Sequence, residues 1–443
     1  MTARQLAIVI ATLFSCLYSG QNCLSQELAG LPPVTQQAMT KVSEGKLLAA
    51  VALFEAPLTE KNIDQGLLGT FRSFIGDWQG AHRACDRSYY AKPPKEAAVF
   101  SLPVSPLPAL DVIAEQSKRH RVVVINEAHH VPQHRAFILQ VLRKLRGEGF
   151  KYYAAEALAE DMQALKRRGY PTRSTGFYTQ EPVFGNLVRE SLAMGYQPVA
   201  YEAMLDAAQV TENADSDPID GIHLREAAQC RNLVERLFAK DPAAKVVVHV
   251  GFDHVMERPR KLKDGKEITW MAARLASELR IELLSIDQTL HTERGAIEFA
   301  TSHWRQAVEN EWLDQPIVLQ SEQGSFTVTG RFAGLVDMQV FHPPTKVVVG
   351  RPDWLVQMEG RVPISVPQEI RAEMGRVLVQ AFLQHESEDS IPVDQALLLP
   401  GVARPMLLLK AGEYRVIAQD ERGAEIYRSA LVVSPGVQDT GSK

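Results

Sequence analysis

Five short apolar runs, each closing on a polar or acidic residue and separated by stretches of helical period, constrain this chain more than any other feature. They are Arg121–Ile125, Tyr152–Ala155, Pro198–Tyr201, Lys245–Val250 and Ile281–Ile286. Each is too short for a helix and reads as a buried strand. Alternation of this kind builds an α/β fold with a mainly parallel sheet. Parallel neighbours need long crossovers, and helices in those crossovers cover both sheet faces.

The densest chemistry follows the first run, in RVVVINEAHHVPQHRAFILQVLRKL. From Pro132 onward, Phe137, Ile138, Val141, Leu142 and Leu145 recur at helical spacing. Between strand and helix stand Asn126, Glu127, His129 and His130, with His134 one turn on. A carboxylate and imidazoles are costly to bury, and ligands of open α/β sheets bind at the carboxyl edge of the strands. The other runs end at Glu156, Glu202, Asp253/His254 and Asp287. One acidic residue after a strand is ordinarily a helix cap or a solvated turn. A succession of them, twice accompanied by histidine, points to groups converging on one site.

The rest of the chain frames this unit. Arg4 followed by LAIVIATLF and small residues reads as a signal peptide over 1–25, with cleavage after Ser25 or lipid attachment at Cys16. Its removal leaves Cys85 and Cys230, whose wide separation does not by itself argue for a disulfide. Residues 27–95 read as a helical cap, 100–350 as the α/β domain, and 360–435 as a β-rich, sandwich-like accessory domain in which strand runs follow one another without helices. Strands are also expected at Ser325–Thr329, Leu335–Phe341 and Val347–Val349. Asp217 is the expected cap of a long helix from Pro218 to about Ala239. The 48 basic and 53 acidic side chains give a net charge of -5, which argues against a nucleic-acid partner bound by bulk electrostatics. GxSxG, HExxH and Walker A signatures are absent from the sequence.

Four motifs in order carry a family resemblance: Asn126-Glu127-Ala128-His129-His130, the strand ending at Glu156, Arg225 with Asn232 two turns on, and VVVHVGFDHV with His254. Over Val122 to Asp287 the chain resembles the superfamily that joins erythromycin esterases, Tiki/TraB-type proteins and ChaN-like haem-binding proteins. Asn126 stands where those families carry glycine. The ChaN-like alignment selects His129, with His134 as a second histidine; the esterase alignment selects His130.

The resemblance implies a hydrolase acting on an ester or amide of a small molecule or peptide, and the leader over 1–25 implies that it is exported. In that reading His129 or His130 is the general base, Glu127 and Glu156 orient it, and His254 acts as acid or stabilises the oxyanion. Arg225, Glu202 and Asp287 are the expected substrate contacts, although Arg225 suits an ordinary ion pair equally well. A metal-assisted version takes Glu127, His129, Glu156 and His254 as ligands of a divalent transition metal. The alternative is a periplasmic or lipid-anchored haem or iron carrier, with His130, His134 and Tyr201 as axial candidates. His249, inside a Val-rich strand, reads as a hydrogen-bonded core residue.

Overall fold

The structure is a computed structural model that describes residues 32–56, 64–89, 100, 103–203, 218–358, 360–373 and 375–434. The leader, Cys16, Cys23 and the cap at Asp217 lie outside these residues. Of the N-terminal region, helices Pro33–Ser43, Leu47–Glu55, Gln65–Phe74 and Trp78–Tyr89 are described. The strands of the large sheet are β1 (Val104–Pro108), β2 (Val122–Glu127), β3 (Tyr152–Ala155), β4 (Gln197–Ala200) and β5 (Val246–Gly251). After a small ribbon, β6 (Arg260–Lys261) with β7 (Glu267–Ile268), come β8 (Leu284–His291), β9 (Ile317–Ser321) and β10 (Met338–Phe341). The order is β1-β9-β10-β8-β2-β5-β3-β4. From β10 to β4 every neighbouring pair is parallel; β9 is antiparallel to both of its neighbours.

Side chains alternate strictly across this sheet, as strand geometry requires. Val123, Ile125, Tyr153 and Val247 join the core formed by helices Pro132–Gly147 and Pro182–Ala193 and by the N-terminal helices. Val122, Val124, Val246, Val248 and Val250 face the other way, onto Leu233, Met271 and Leu275. With both faces covered, the central strands are buried throughout, which explains their unbroken apolar runs. The N-terminal helices are part of the same core: Phe71 and Phe74 lie 5.9 and 5.2 Å from Phe177, ring centre to ring centre.

Some elements depart from the sequence pattern. Val104–Pro108 carries three prolines in and around it, yet forms a strand, because at a sheet edge a missing N–H costs no ladder bond. Strand β8 starts three residues later than its apolar run and continues to His291, which puts Asp287 inside the strand instead of at its end. Ser325–Thr329 makes only an isolated bridge through Phe326. The long helix is α-helical over Pro218–Leu233 and widens into a π turn over Val234–Phe238.

A short antiparallel ribbon of β11 (Val347–Val348) and β12 (Arg351–Pro352) leads into the C-terminal region, which is antiparallel β structure. Its sheet has the order β15 (Asp394–Leu398), β14 (Val377–Leu383), β17 (Gly412–Asp420) and β18 (Glu425–Val433). A ribbon of β13 (Val362–Ile364) and β16 (Leu407–Leu409) packs on one face, where Val379, Leu407 and Val416 share a core. Leu378 points the opposite way and joins the main core. Buried Arg189–Glu386 pairing also ties this region to the helix Pro182–Ala193.

Candidate functional site

Glu127, the last residue of β2, is the anchor of the site. It is 2% exposed and accepts from Arg135 Nε (2.7 Å), Arg135 Nη2 (2.7 Å), His249 (3.0 Å) and His129 Nδ1 (2.9 Å). Burial alone would raise its pKa, but the Arg135 charge, His249 and these hydrogen bonds hold it well below the usual carboxylate range. Arg135 is itself buried and reaches Glu181 at 3.1 Å; Glu181 caps the helix Pro182–Ala193 through the N–H groups of Val183 and Phe184. His249 stands on the same sheet face as Glu127, and its Nδ1 meets the Tyr153 hydroxyl at 2.8 Å. It is therefore a hydrogen-bonded core histidine that also supports the site.

His129 keeps 17% of its side chain exposed. Its ring stacks on Tyr178 (3.9 Å, 15°) and meets Phe252 edge-on (5.2 Å, 89°). With Nδ1 donated to Glu127, the tautomer follows from the partner, and Nε2 carries the lone pair. That nitrogen looks toward Gly251: a methyl built there would lie 2.7 Å from His129 Nε2 and 3.1 Å from Glu156 Oε2. A side chain at 251 would fill the space between these two groups.

Glu156 follows β3. It accepts from Gly251 N–H and from Arg225 Nη2, both at 2.6 Å, and lies 3.8 Å from His254 Nε2. Burial opposes its ionisation, but His254, Arg225 and His129 bring its pKa down to about 2. Arg225 also binds Glu202 through two nitrogens, at 3.0 and 2.6 Å, and approaches His254 Nε2 at 3.1 Å. Asn232 donates to the carbonyls of Tyr201 and Glu202, fixing the end of β4. His254 carries its own carboxylate, Glu226, at 2.8 Å. Burial would lower the His254 pKa; Glu226 and Glu156 outweigh it and raise the imidazole above its ordinary value.

Glu127, His129, Glu156, Glu202, Arg225 and His254 thus form one connected cluster at the carboxyl edge of β2, β3, β4 and β5. Two expected residues stand elsewhere. His130 turns inward against His82, 5.7 Å between rings, and burial lowers its pKa well below the ordinary value. Asp287, inside β8, binds Asn126, Thr289 and Gln339 and contacts none of the cluster. Asn126 donates to Asp287 and to the carbonyl of Phe252, both at 2.8 Å, and accepts from Gln288 N–H. It holds the turn in which Phe252 adopts φ 37, a conformation costing a non-glycine residue about 1–3 kcal/mol. Arg135, Glu226, Tyr178 and Gln229 were not singled out by sequence pattern. The one signal that could have found this pairing is an arginine six residues after His129, on the first turn of the helix.

The cluster does not fit a metal ion. Both oxygens of Glu127 are taken by donors, and a guanidinium sits 2.6 Å from Glu156, where a dication would have to compete with it. Among the described residues, no group of three or more His, Cys, Asp or Glu is arranged to hold one. The haem candidates do not converge either. His134 Nδ1 accepts from Ala128 N–H, Tyr201 donates to the His249 carbonyl, and His130, His134 and Tyr201 are all at most 2% exposed. Cys85 and Cys230 are both free and buried. A cavity of about 560 Å³ lies in the C-terminal region beside Val366, Ile370 and Leu398, and none of the cluster residues lines it.

No family model matches the chain, and no curated protein matches it. Among solved structures, one described as "Bacterial protein toxins" aligns with 51% of this chain and 45% of its own, at 17% identity and a TM-score of 0.30. A second, "Crystal structure of bacterial protein toxins", aligns with 51% and 44%, at 19% identity and 0.28. RRSP, a MARTX toxin effector domain from Vibrio vulnificus CMCP6, aligns with 69% and 48%, at 14% identity and 0.28. The chain spans just under half the length of these structures. The similarity to bacterial toxin domains is distant and assigns no family.

Proposed function

We propose that the chain is a hydrolase that cleaves an ester or amide bond by metal-free general acid–base chemistry. The observation that carries this reading is His129: partly exposed, tied through Nδ1 to an ionised Glu127, and presenting Nε2 beside Glu156 and Gly251. Its Nε2 takes a proton from water as the water attacks the carbonyl, and Glu127 stabilises the imidazolium that results. His254, whose pKa Glu226 and Glu156 raise, is the second imidazole of the site and in its protonated form donates toward the developing oxyanion or the leaving group. Glu156 and Arg225 orient water and substrate between the two rings. The likeness to erythromycin-esterase and Tiki-type proteins supports the same chemistry, with a small molecule or peptide as substrate.

Export belongs to this proposal and rests on the first 25 residues; mass spectrometry of the native N-terminus tests it, and a majority species beginning at Met1 would refute it. No helix among the described residues is long and apolar enough to cross a membrane.

A panel of chromogenic esters and peptide amides tests the chemistry. His129→Ala is expected to keep the fold and to lower turnover by roughly 10²-fold or more. Prolonged dialysis against EDTA is expected to leave turnover unchanged. Full activity in His129→Ala, or loss with the chelator, would overturn the mechanism.

A further inference from the structure

A second polar pocket lies where helices Pro132–Gly147 and Pro182–Ala193 meet the C-terminal β region. It encloses about 170 Å³ and is lined by Arg143, Arg189, Arg361, Lys410, Glu190 and Tyr414, with apolar walls from Leu383, Val393 and Leu408. Four cationic side chains therefore face a single lining carboxylate.

Two of the cations are buried: Arg189, paired with Glu386, keeps a donor without an acceptor, and Arg361 has no carboxylate of its own. Arg189 is 9% exposed; its Nε and Nη2 bind Glu386 at 2.7 and 2.6 Å, which leaves Nη1 buried with no hydrogen-bond partner. Arg361 has a side chain only 5% exposed and donates to the carbonyls of Leu408 (3.2 Å) and Val393 (3.1 Å). Its nearest carboxylate, Asp394, is 3.6 Å away and already engaged by both terminal nitrogens of Arg351 and by Leu408 N–H. A buried guanidinium without a dedicated counter-charge is unfavourable, and an orphaned buried N–H adds to the cost. Arg143 and Lys410, both reaching Glu190, complete the rim. An anion in the pocket would supply the missing acceptor and the missing charge together.

We propose that this pocket binds a compact oxyanion of the phosphate class. A dianion answers the excess of positive charge better than a carboxylate, and its several acceptor oxygens suit guanidinium donors. The volume admits a phosphate or a small phosphomonoester and not a nucleotide. The inference is independent of the hydrolytic reading, since none of these residues belongs to the His129 cluster.

Thermal unfolding and calorimetric titration of the full chain with sodium phosphate, against sodium chloride at matched ionic strength, test it. Phosphate is expected to raise Tm saturably and chloride not to. The doubly substituted Arg143→Ala, Lys410→Ala protein, altered only at rim positions, should bind phosphate roughly tenfold or more weakly. Glu190→Gln should bind it several-fold more tightly. Glycerol phosphate binding as well as phosphate would identify a phosphomonoester head group as the ligand; exclusion of glycerol phosphate would identify the free ion. The proposal is overturned by an equal response to chloride, by acetate binding as tightly as phosphate, or by rim variants with unchanged affinity. A Glu190→Gln protein that merely loses stability, with no phosphate response, would show a structural ion-pair network instead.

Discussion

Gly251→Ala isolates the geometry on which the proposed chemistry depends. Gly251 has φ −86° and ψ 143°, an ordinary extended conformation open to any residue, so the substitution introduces no backbone strain. Its effect is purely steric. The new methyl would sit 2.6 Å from His129 Cε1 and 2.7 Å from Nε2, where ordinary contact begins near 3.4 Å, so the ring must retreat by about 0.7 Å. Retreat is obstructed by Tyr178, stacked at 3.9 Å, and by the 2.9 Å bond from Nδ1 to Glu127. Displacements of this size at a reacting group cost on the order of 10²-fold in rate, and overpacking of a dense site costs roughly 1–3 kcal/mol. The assay is kcat/KM on whichever ester or amide the wild type cleaves, beside Tm and the imidazole ¹⁵N spectrum. A rate loss with a small Tm change and a displaced His129 signal is expected. Wild-type turnover in Gly251→Ala would refute the assignment of His129 Nε2 as the reacting nitrogen.

Arg135→Met removes the shared partner of Glu127 and Glu181 and should destabilise by about 3–5 kcal/mol, the scale for stranding a buried charge, read as a lower urea midpoint. Because Glu127 titrates below its unfolded value of 4.5, the stability it contributes is present above that pH and lost as pH falls; urea midpoints below pH 4.5 should decline in wild type and less in Glu127→Gln. Glu257 has the opposite sign: burial and the neighbouring Asp337 raise it to about 7, so its contribution is lost as pH rises from 4.5 through 7, and Glu257→Gln should flatten that slope. Asn126→Gly forfeits the bonds to Phe252, Asp287 and Gln288 and should cost about 2–4 kcal/mol by thermal unfolding.

Much of the fold was legible because its signals are local. Apolar runs of strand length, proline and glycine boundaries, and the helical period after Pro132 placed the parallel sheet and most of its helices within one or two residues. The carboxyl-edge rule also located Glu127, Glu156, Glu202 and His254, since strand ends need no knowledge of side-chain direction. Strand β8 shows where this stops. Its apolar run ends at Ile286, but pairing with β10, Met338 to Ile286 and Gln339 to Asp287, carries the strand onward and takes Asp287 into a separate buried network.

The choice between adjacent histidines was likewise a tertiary decision. In sequence His129 and His130 are alike. The short turn from Ala128 to Val131, held by His134 accepting from Ala128 N–H, sends one ring over Glu127 and the other against His82. Arg135, His249 and Glu226 reach the site from a first helical turn, a strand interior and a distant helix, positions where sequence pattern reads only surface charge or core. Local propensity determines which residues are strand and which are helix. Which polar groups neutralise one another depends on distances between elements far apart in sequence, and those distances exist only once the chain has folded around its sheet.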